Sequence, residues 1–293
     1  IERLKMRYLK IVGFVILILV LGVLARAYFG GTWHIWFPSS SHDSVFEGIP
    51  EHVESPALLV FSKTNRFRHK EGIAGGQQAL ANIAKRNGWS LFATENGAVF
   101  NAADLESVKA VVFLNATGDM LSHEQELAFQ HWMESGGGWL GIHAAGDGSH
   151  SEWTWYMDNF IGAEYVAHIM GPQFQNATVV TEGTEHPVNE RMPARWNHEE
   201  EWYSWRSSPR KNGFKILATV DENTYTPVRK MLGDELDLTM GDHPIVWANC
   251  VNNGRALYSA MGHTAEAFEV PQYLILLEDA LNWVMGLSGS ECG

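Results

Sequence analysis

The longest uninterrupted apolar stretch lies near the start of the chain. Residues 11–24 carry no polar side chain, and Arg3, Lys5, Arg7 and Lys10 stand immediately before them. A basic flank followed by such a run is a membrane-directing pattern and not part of a globular fold. Extended to Phe29, the run nearly spans a bilayer at about 1.5 Å per helical residue, with Arg26 interrupting it near its outer end. Ala25-Arg26-Ala27 also reads as a small-residue cleavage site, which would make the run a signal peptide. An uncleaved anchor is expected, because the apolar run continues past that site and the inner positive charge fixes the orientation. Either way the rest of the chain is expected outside the cytoplasm, periplasmic in a bacterium and secreted if cleaved after Ala27.

Residues 32–54 mix aromatic residues, a Ser run and two prolines without regular period, as a linker does. From Pro56 onward short apolar runs alternate with helical patterns. Residues 57–62, 89–94, 109–114 and 139–142 suit buried strands, and 71–87 suits a helix stopped by Gly88. A second helix begins at Ser122, where Ser122 and Gln125 have capping-box spacing; Phe129, Trp132 and Met133 line one face before Gly136. Further strands are expected at 173–181, 214–220, 244–251 and 255–261, and a closing helix at 271–285. The alternation predicts an α/β fold, a mostly parallel sheet with helices on both faces. The expected division is a membrane segment at 1–31, a linker at 32–54, one α/β domain at 55–287 and a tail at 288–293.

Composition sharpens this in two respects. With 45% hydrophobic and 19% charged residues the chain is globular, and its formal net charge of −13 argues against nucleic acid as a partner, since phosphate binding needs a concentrated basic face. Two cysteines, Cys250 and Cys292, cannot make a thiolate zinc site by themselves, although they could pair in an oxidising compartment.

In parallel α/β sheets ligands bind beyond the carboxyl ends of the strands, so the loops after residues 62, 114 and 142 are expected to meet. The segment Gly136-Gly137-Gly138-Trp139-Leu140-Gly141-Ile142-His143 ends a strand at a tight small-residue turn, the position at which several enzyme families place a Cys or Ser nucleophile. Here it holds a histidine. The loop after the first strand supplies Arg68 and His69, and His263 again follows an apolar strand and a glycine, with Glu266 as a candidate orienting partner. Glu201 lies among aromatic residues that could tune its protonation. His143, His69, Glu201 and His263 are therefore the candidate acid-base residues. Arg68, Trp155, Tyr156, Trp202, Tyr203, His243 and Glu266 are the candidate substrate contacts, the aromatic ones by stacking on sugar faces. His123-Glu124-Gln125-Glu126-Leu127 begins like a zincin motif but has Leu127 where the second histidine belongs. The dispersed set His69, His143 and His263 could still hold a divalent metal such as zinc.

Several stretches together resemble the ThuA-like (trehalose utilisation) family, whose fold is similar to that of class I glutamine amidotransferases. They are "FRH" at 67–69, "GGGWLGIHAAGD" at 136–147, "EWTWY" at 152–156, "EEWYSW" at 200–205, "GDHPIVW" at 241–247 and "MGHTAEAF" at 261–268. The resemblance implies a flavodoxin-like sheet and a role in sugar metabolism, with keto-glycosides among the candidate substrates. Glutamine hydrolysis needs a thiolate at the elbow, where this chain has His143, so amidotransferase activity is not expected. Two classes of function remain: acid-base or metal-assisted lyase or hydrolase chemistry on a saccharide, or non-catalytic carbohydrate binding at the outer face of the membrane.

Overall fold

The computed structural model describes residues 2–30 and 32–289. Thirteen strands are found among them: β1 (Ala57–Phe61), β2 (Ser90–Thr94), β3 (Ala110–Leu114), β4 (Gly138–Ile142), β5 (Tyr165–His168), β6 (Gln175–Thr181), β7 (Arg195–Glu200), β8 (Tyr203–Trp205), β9 (Lys215–Val220), β10 (Val228–Met231), β11 (Asp234–Asp237), β12 (Pro244–Val251) and β13 (Gly254–Ser259). The α-helices are α1 (Glu2–Phe29), α2 (Trp33–Trp36), α3 (Lys70–Asn87), α4 (Ala102–Glu106), α5 (His123–Glu134), α6 (Thr154–Tyr156) and α7 (Pro271–Val284).

Nine strands form one sheet in the order β2-β1-β3-β4-β13-β12-β9-β6-β7. The ladder is parallel from β2 to β13. From β13 to β7 it is antiparallel. The parallel half coincides with the βα alternation of the sequence. Each of β1, β3 and β4 is buried at every position, as expected of strands covered on both faces. Neighbouring residues of β3 identify the two layers, because successive strand side chains point to opposite faces. Phe113 stacks on Phe129 of α5, with ring centroids 5.6 Å apart, whereas Leu114 lies against Gly76 of α3. Helices therefore cover both faces of this half. α5 starts with the capping box read from the sequence, Ser122 and Gln125 each accepting an N–H from the other's backbone.

The antiparallel extension curls back over the strand ends of the parallel half. The contact is direct: the Glu200 carboxylate, at the end of β7, accepts the Gly262 amide at 2.6 Å, just beyond β13. β7 did not stand out as a strand in the sequence. Its burial alternates perfectly, with Trp196, His198 and Glu200 inward, but two of those three residues are polar, so the period-2 signal is not one of hydrophobicity.

α1 contains a stretch, Lys5–Phe29, long and apolar enough to cross a membrane, none of it buried against the domain. Residues 38–53 form no strand, yet they are hydrogen-bonded along the domain through Ser39, His42, Asp43 and Ile49. Cys250 is disulfide-bonded, and Cys292 lies outside the described residues.

Candidate functional site

Four elements deliver four side chains to one point. His69 caps α3 after β1, His143 follows the last residue of β4, His263 lies in the turn after β13, and Glu201 follows β7. One donor atom from each lies within 4.8 Å of the others. His143 is wholly buried, His69 and Glu201 nearly so, and the His263 side chain is 14% exposed, so the cluster opens past His263.

The backbone explains how the rings meet. His143 adopts a left-handed φ of 50°, which turns the chain sharply out of β4. The carbonyl of the same residue is held by the Tyr258 hydroxyl at 2.6 Å. Gly262, at φ 119°, lets the following turn pass against Ile142: a Cβ there would come within 2.7 Å of the Ile142 side chain. Asn115 ties the loops together, donating to the Gly262 carbonyl at 3.0 Å and accepting from the Ala144 amide at 3.4 Å.

The hydrogen bonds assign roles to the individual atoms. His143 Nδ1 meets the Ala260 carbonyl at 2.8 Å. A carbonyl only accepts, so Nδ1 carries the hydrogen, and in the neutral ring the lone pair is on Nε2, which faces the cluster. That nitrogen lies 3.0 Å from His263 Nδ1 and 3.0 Å from the Tyr203 hydroxyl. Glu201 Oε2 is 3.0 Å from His263 Nδ1 and 3.7 Å from His143 Nε2. Its other oxygen accepts from Gln173 Nε2 at 2.5 Å and lies 3.1 Å from His168 Nδ1, whose hydrogen bond goes to the Ile169 carbonyl at 2.9 Å. The His69 ring stands edge-to-face against His143 and His263 at 4.9 and 4.5 Å, and its Nδ1 is buried without a hydrogen-bond partner.

This arrangement fits a divalent first-row metal. Three imidazoles and one carboxylate are a usual donor set for such ions. The separations among His143, His263 and Glu201, 3.0 to 3.7 Å, bracket the roughly 3.3 Å edge of a tetrahedron with bonds of about 2.0–2.1 Å, and all four donor atoms lie within 4.8 Å of one another. The orphaned nitrogen of His69 and the backbone bond that orients His143 are further features a metal centre requires.

Burial and charge pull the protonation states apart. Burial pushes the His69 imidazole well below its ordinary pKa, and the neighbouring His143 and His263 push the same way. Burial also opposes charge on His143, but the Glu201 and Glu200 carboxylates outweigh it and hold that pKa above the usual value. Burial would raise Glu201, yet its bonds to His143 and His263 leave it far below the carboxylate range. The Tyr203 phenol is pushed well up by burial and by Glu201, so it stays protonated.

Other residues singled out in the sequence lie elsewhere. His243 is buried beneath the site, its Nε2 at 2.7 Å from the Tyr203 carbonyl and its Nδ1 at 2.8 Å from Glu222. Arg68 turns away to Thr64 and Glu95. Tyr156 is a core residue bonded to the Ala145 carbonyl, Trp202 is buried with its indole N–H on Gln175, and Trp155 donates to Glu134. Glu266 is exposed and makes no hydrogen bond to His263. Of the proposed substrate contacts, Tyr203 alone touches the cluster. Sequence reasoning passed over Glu200, His168, Gln173 and Phe174, whose ring lies 5.0 Å from His263. A well-formed cleft of about 270 Å³ on the same strand-end edge is lined by Ser39, Arg66, Asp119, His150 and Trp153 and includes none of the four cluster residues.

The family model described as "ThuA: Trehalose utilisation" matches residues 57–284. No protein of curated function matches the sequence. Among solved structures the chain is similar to a ThuA-like protein from Bacteroides uniformis, with 25% identity and a TM-score of 0.68 over 82% of this chain and 95% of that one. It is also similar to a ThuA-like protein from Parabacteroides merdae, with 19% identity and a TM-score of 0.58 over 78% and 89%. That second likeness is one of fold alone.

Proposed function

The chain belongs to the ThuA (trehalose utilisation) family, and from that premise we propose that it acts on a saccharide, a keto-glycoside in particular, by metal-assisted acid-base chemistry of the lyase or hydrolase type. One observation carries the reading: the convergence of His69, His143, Glu201 and His263 within 4.8 Å. His69, His143, Glu201 and His263 would hold a divalent ion, zinc or a close relative, which would supply Lewis-acid polarisation of a substrate oxygen. The protein's part is orientation and proton handling. The Ala260 carbonyl fixes the His143 ring, Gln173 fixes Glu201, and the Tyr203 hydroxyl, kept neutral, offers a proton at the wall of the site. His168, with 27% of its side chain exposed, stands where a proton can pass to solvent.

Covalent acyl chemistry has no support: His143 occupies the strand-end turn, and Cys250 lies on β12 in a disulfide. The sheet order 2-1-3-4 followed by β13 supports the flavodoxin-like reading and, through it, the amidotransferase-like relationship. The apolar α1 and the Cys250 disulfide support an anchored domain in an oxidising compartment outside the cytoplasm.

The test joins metal analysis of the purified full chain to product analysis with keto-glycosides, with and without excess chelator. A stoichiometric transition metal and turnover that vanishes on chelation are expected. Saccharide binding without product, across metals and pH, would reject catalysis and leave a carbohydrate-binding accessory.

A further inference from the structure

The N-terminal segment meets the domain on the same edge of the sheet as the cluster. Lys70, the residue after His69, donates from its ammonium to the carbonyl of Phe29, the last residue of α1. After the connection formed by residues 30–38 the chain docks again. The Ser39 amide bonds the Asn65 carbonyl at 3.0 Å, and His42 Nε2 meets Asp119 at 2.8 Å. The Asp43 carboxylate receives Lys63 Nζ at 2.5 Å and the Gly97 amide at 2.8 Å. Lys70 opens α3, and the other partners lie in the segments that leave the carboxyl ends of β1, β2 and β3. At about 3.3–3.6 Å per residue even a fully extended connection spans only roughly 30 Å, so the strand-end edge stays close to wherever α1 ends.

Two features suit that edge to a bilayer surface. Tyr28, Phe29, Trp36 and Phe37 are all at least 51% exposed at the end of the apolar helix and just beyond it, the position where aromatic residues sit at headgroup level. The loop carrying His69 is basic in an otherwise acidic chain: Lys63, Arg66, Arg68 and Lys70 occur within eight positions containing no acid. Of these, Arg66 and Lys70 are exposed, as a contact with anionic phosphates requires.

We propose that the domain holds its strand-end edge against the membrane and that the site takes a saccharide carried on a membrane lipid. The inference rests on reading α1 as an uncleaved anchor and the cluster as a sugar-handling site. A membrane-borne substrate reaches such a site by lateral diffusion in the same leaflet.

The full chain is reconstituted in phosphatidylethanolamine and phosphatidylglycerol vesicles, and bimane is attached after Arg66→Cys or after Lys109→Cys, the second lying at the opposite end of β3. A headgroup quencher should dim the label at 66 several-fold more than the label at 109; equal or reversed quenching overturns the orientation. A keto-glucosyl lipid is then supplied in the protein's own vesicles or in separate ones. Product should form only when both share a vesicle, and equal turnover of the separate lipid or of free methyl keto-glucoside overturns the lipid-borne substrate. If no sugar is turned over while the asymmetric quenching holds, the proposed chemistry and the substrate fall and the orientation stands. An intact mass beginning after Ala27 refutes the anchor and the inference with it.

Discussion

The parallel half of the sheet and its antiparallel extension contribute to the same cluster in different ways. The parallel half delivers His69, His143 and His263 from loops at the carboxyl ends of three strands, where α/β sheets ordinarily place ligand-binding groups. The extension delivers one residue to the centre, Glu201, with Gln173 beside it just ahead of β6, while His168 and Tyr203 flank it from a separate two-stranded sheet of β5 and β8. One half supplies imidazole donors on rigid strand ends. The other supplies the negative charge, so a complete site requires the extension to curl into place.

If both halves are indispensable, His143→Ala, His263→Ala and Glu201→Gln should each reduce turnover by about 10²–10⁴-fold while circular dichroism stays native. A Glu201→Gln protein as active as the parent would break the comparison, reducing the extension to a scaffold. Tyr203→Phe removes the hydroxyl 3.0 Å from His143 Nε2 and should lower metal affinity or activity by roughly 10- to 100-fold, read by metal titration.

Glu200→Gln tests the latch between the halves. That carboxylate accepts the amides of Gly262 and His263 through one oxygen and of Glu201 through the other. Loss of its charge should cost about 1–3 kcal/mol, seen as a lower Tm, together with weaker metal retention as the His263 turn loosens. A Tm loss with unchanged metal affinity would show that the latch serves the fold alone.

The smallest effect lies where the extension rests on α7. The His186 ring packs on Trp283 at 4.8 Å, and burial together with the Lys215 charge lowers its pKa to about 4. Its unfolded value is near 6.5, so between these values the unfolded chain binds the extra proton. Stability at this point is therefore full above about pH 6.5 and falls as the pH drops toward 4. Because the ring is only partly buried, solvent screening limits the loss to about 1 kcal/mol. His186→Asn, which keeps a cap acceptor for the Val188 amide, should flatten that part of the pH-stability curve measured by denaturant titration.

The same contrast accounts for what the sequence disclosed. Continuous apolar runs bounded by glycine and helix caps marked β1, β3 and β4, and the position of a histidine after such a run marked His143 and His263. β7 hid because its inward residues are Trp196, His198 and Glu200, and no hydrophobic alternation distinguishes His and Glu from a solvated turn. His168 and Gln173 carried no signal at all, since their importance comes from the fold bringing β5 and the start of β6 against Glu201. The aromatic residues misled in the opposite direction: Tyr156 and Trp202 look like sugar platforms in the sequence and prove to be core with a bonded polar tip. Aromatic abundance near polar motifs reported packing, as in Trp139 stacked on Phe160 at 4.2 Å.

The latch at Gly262 also sets an order of events. The four converging residues are drawn from positions 69 to 263, and the turn bearing His263 follows β13, the last strand among the described residues. No partly synthesised chain that lacks this turn can present the full donor set, and contacts this distant in sequence form late and slowly. An ion bound there selects the finished fold and stabilises it by mass action, about 2.7 kcal/mol at a hundredfold excess over Kd. Acquisition of that ion would then be the final act of maturation, and the composition of the compartment in which the domain folds would decide which ion it is.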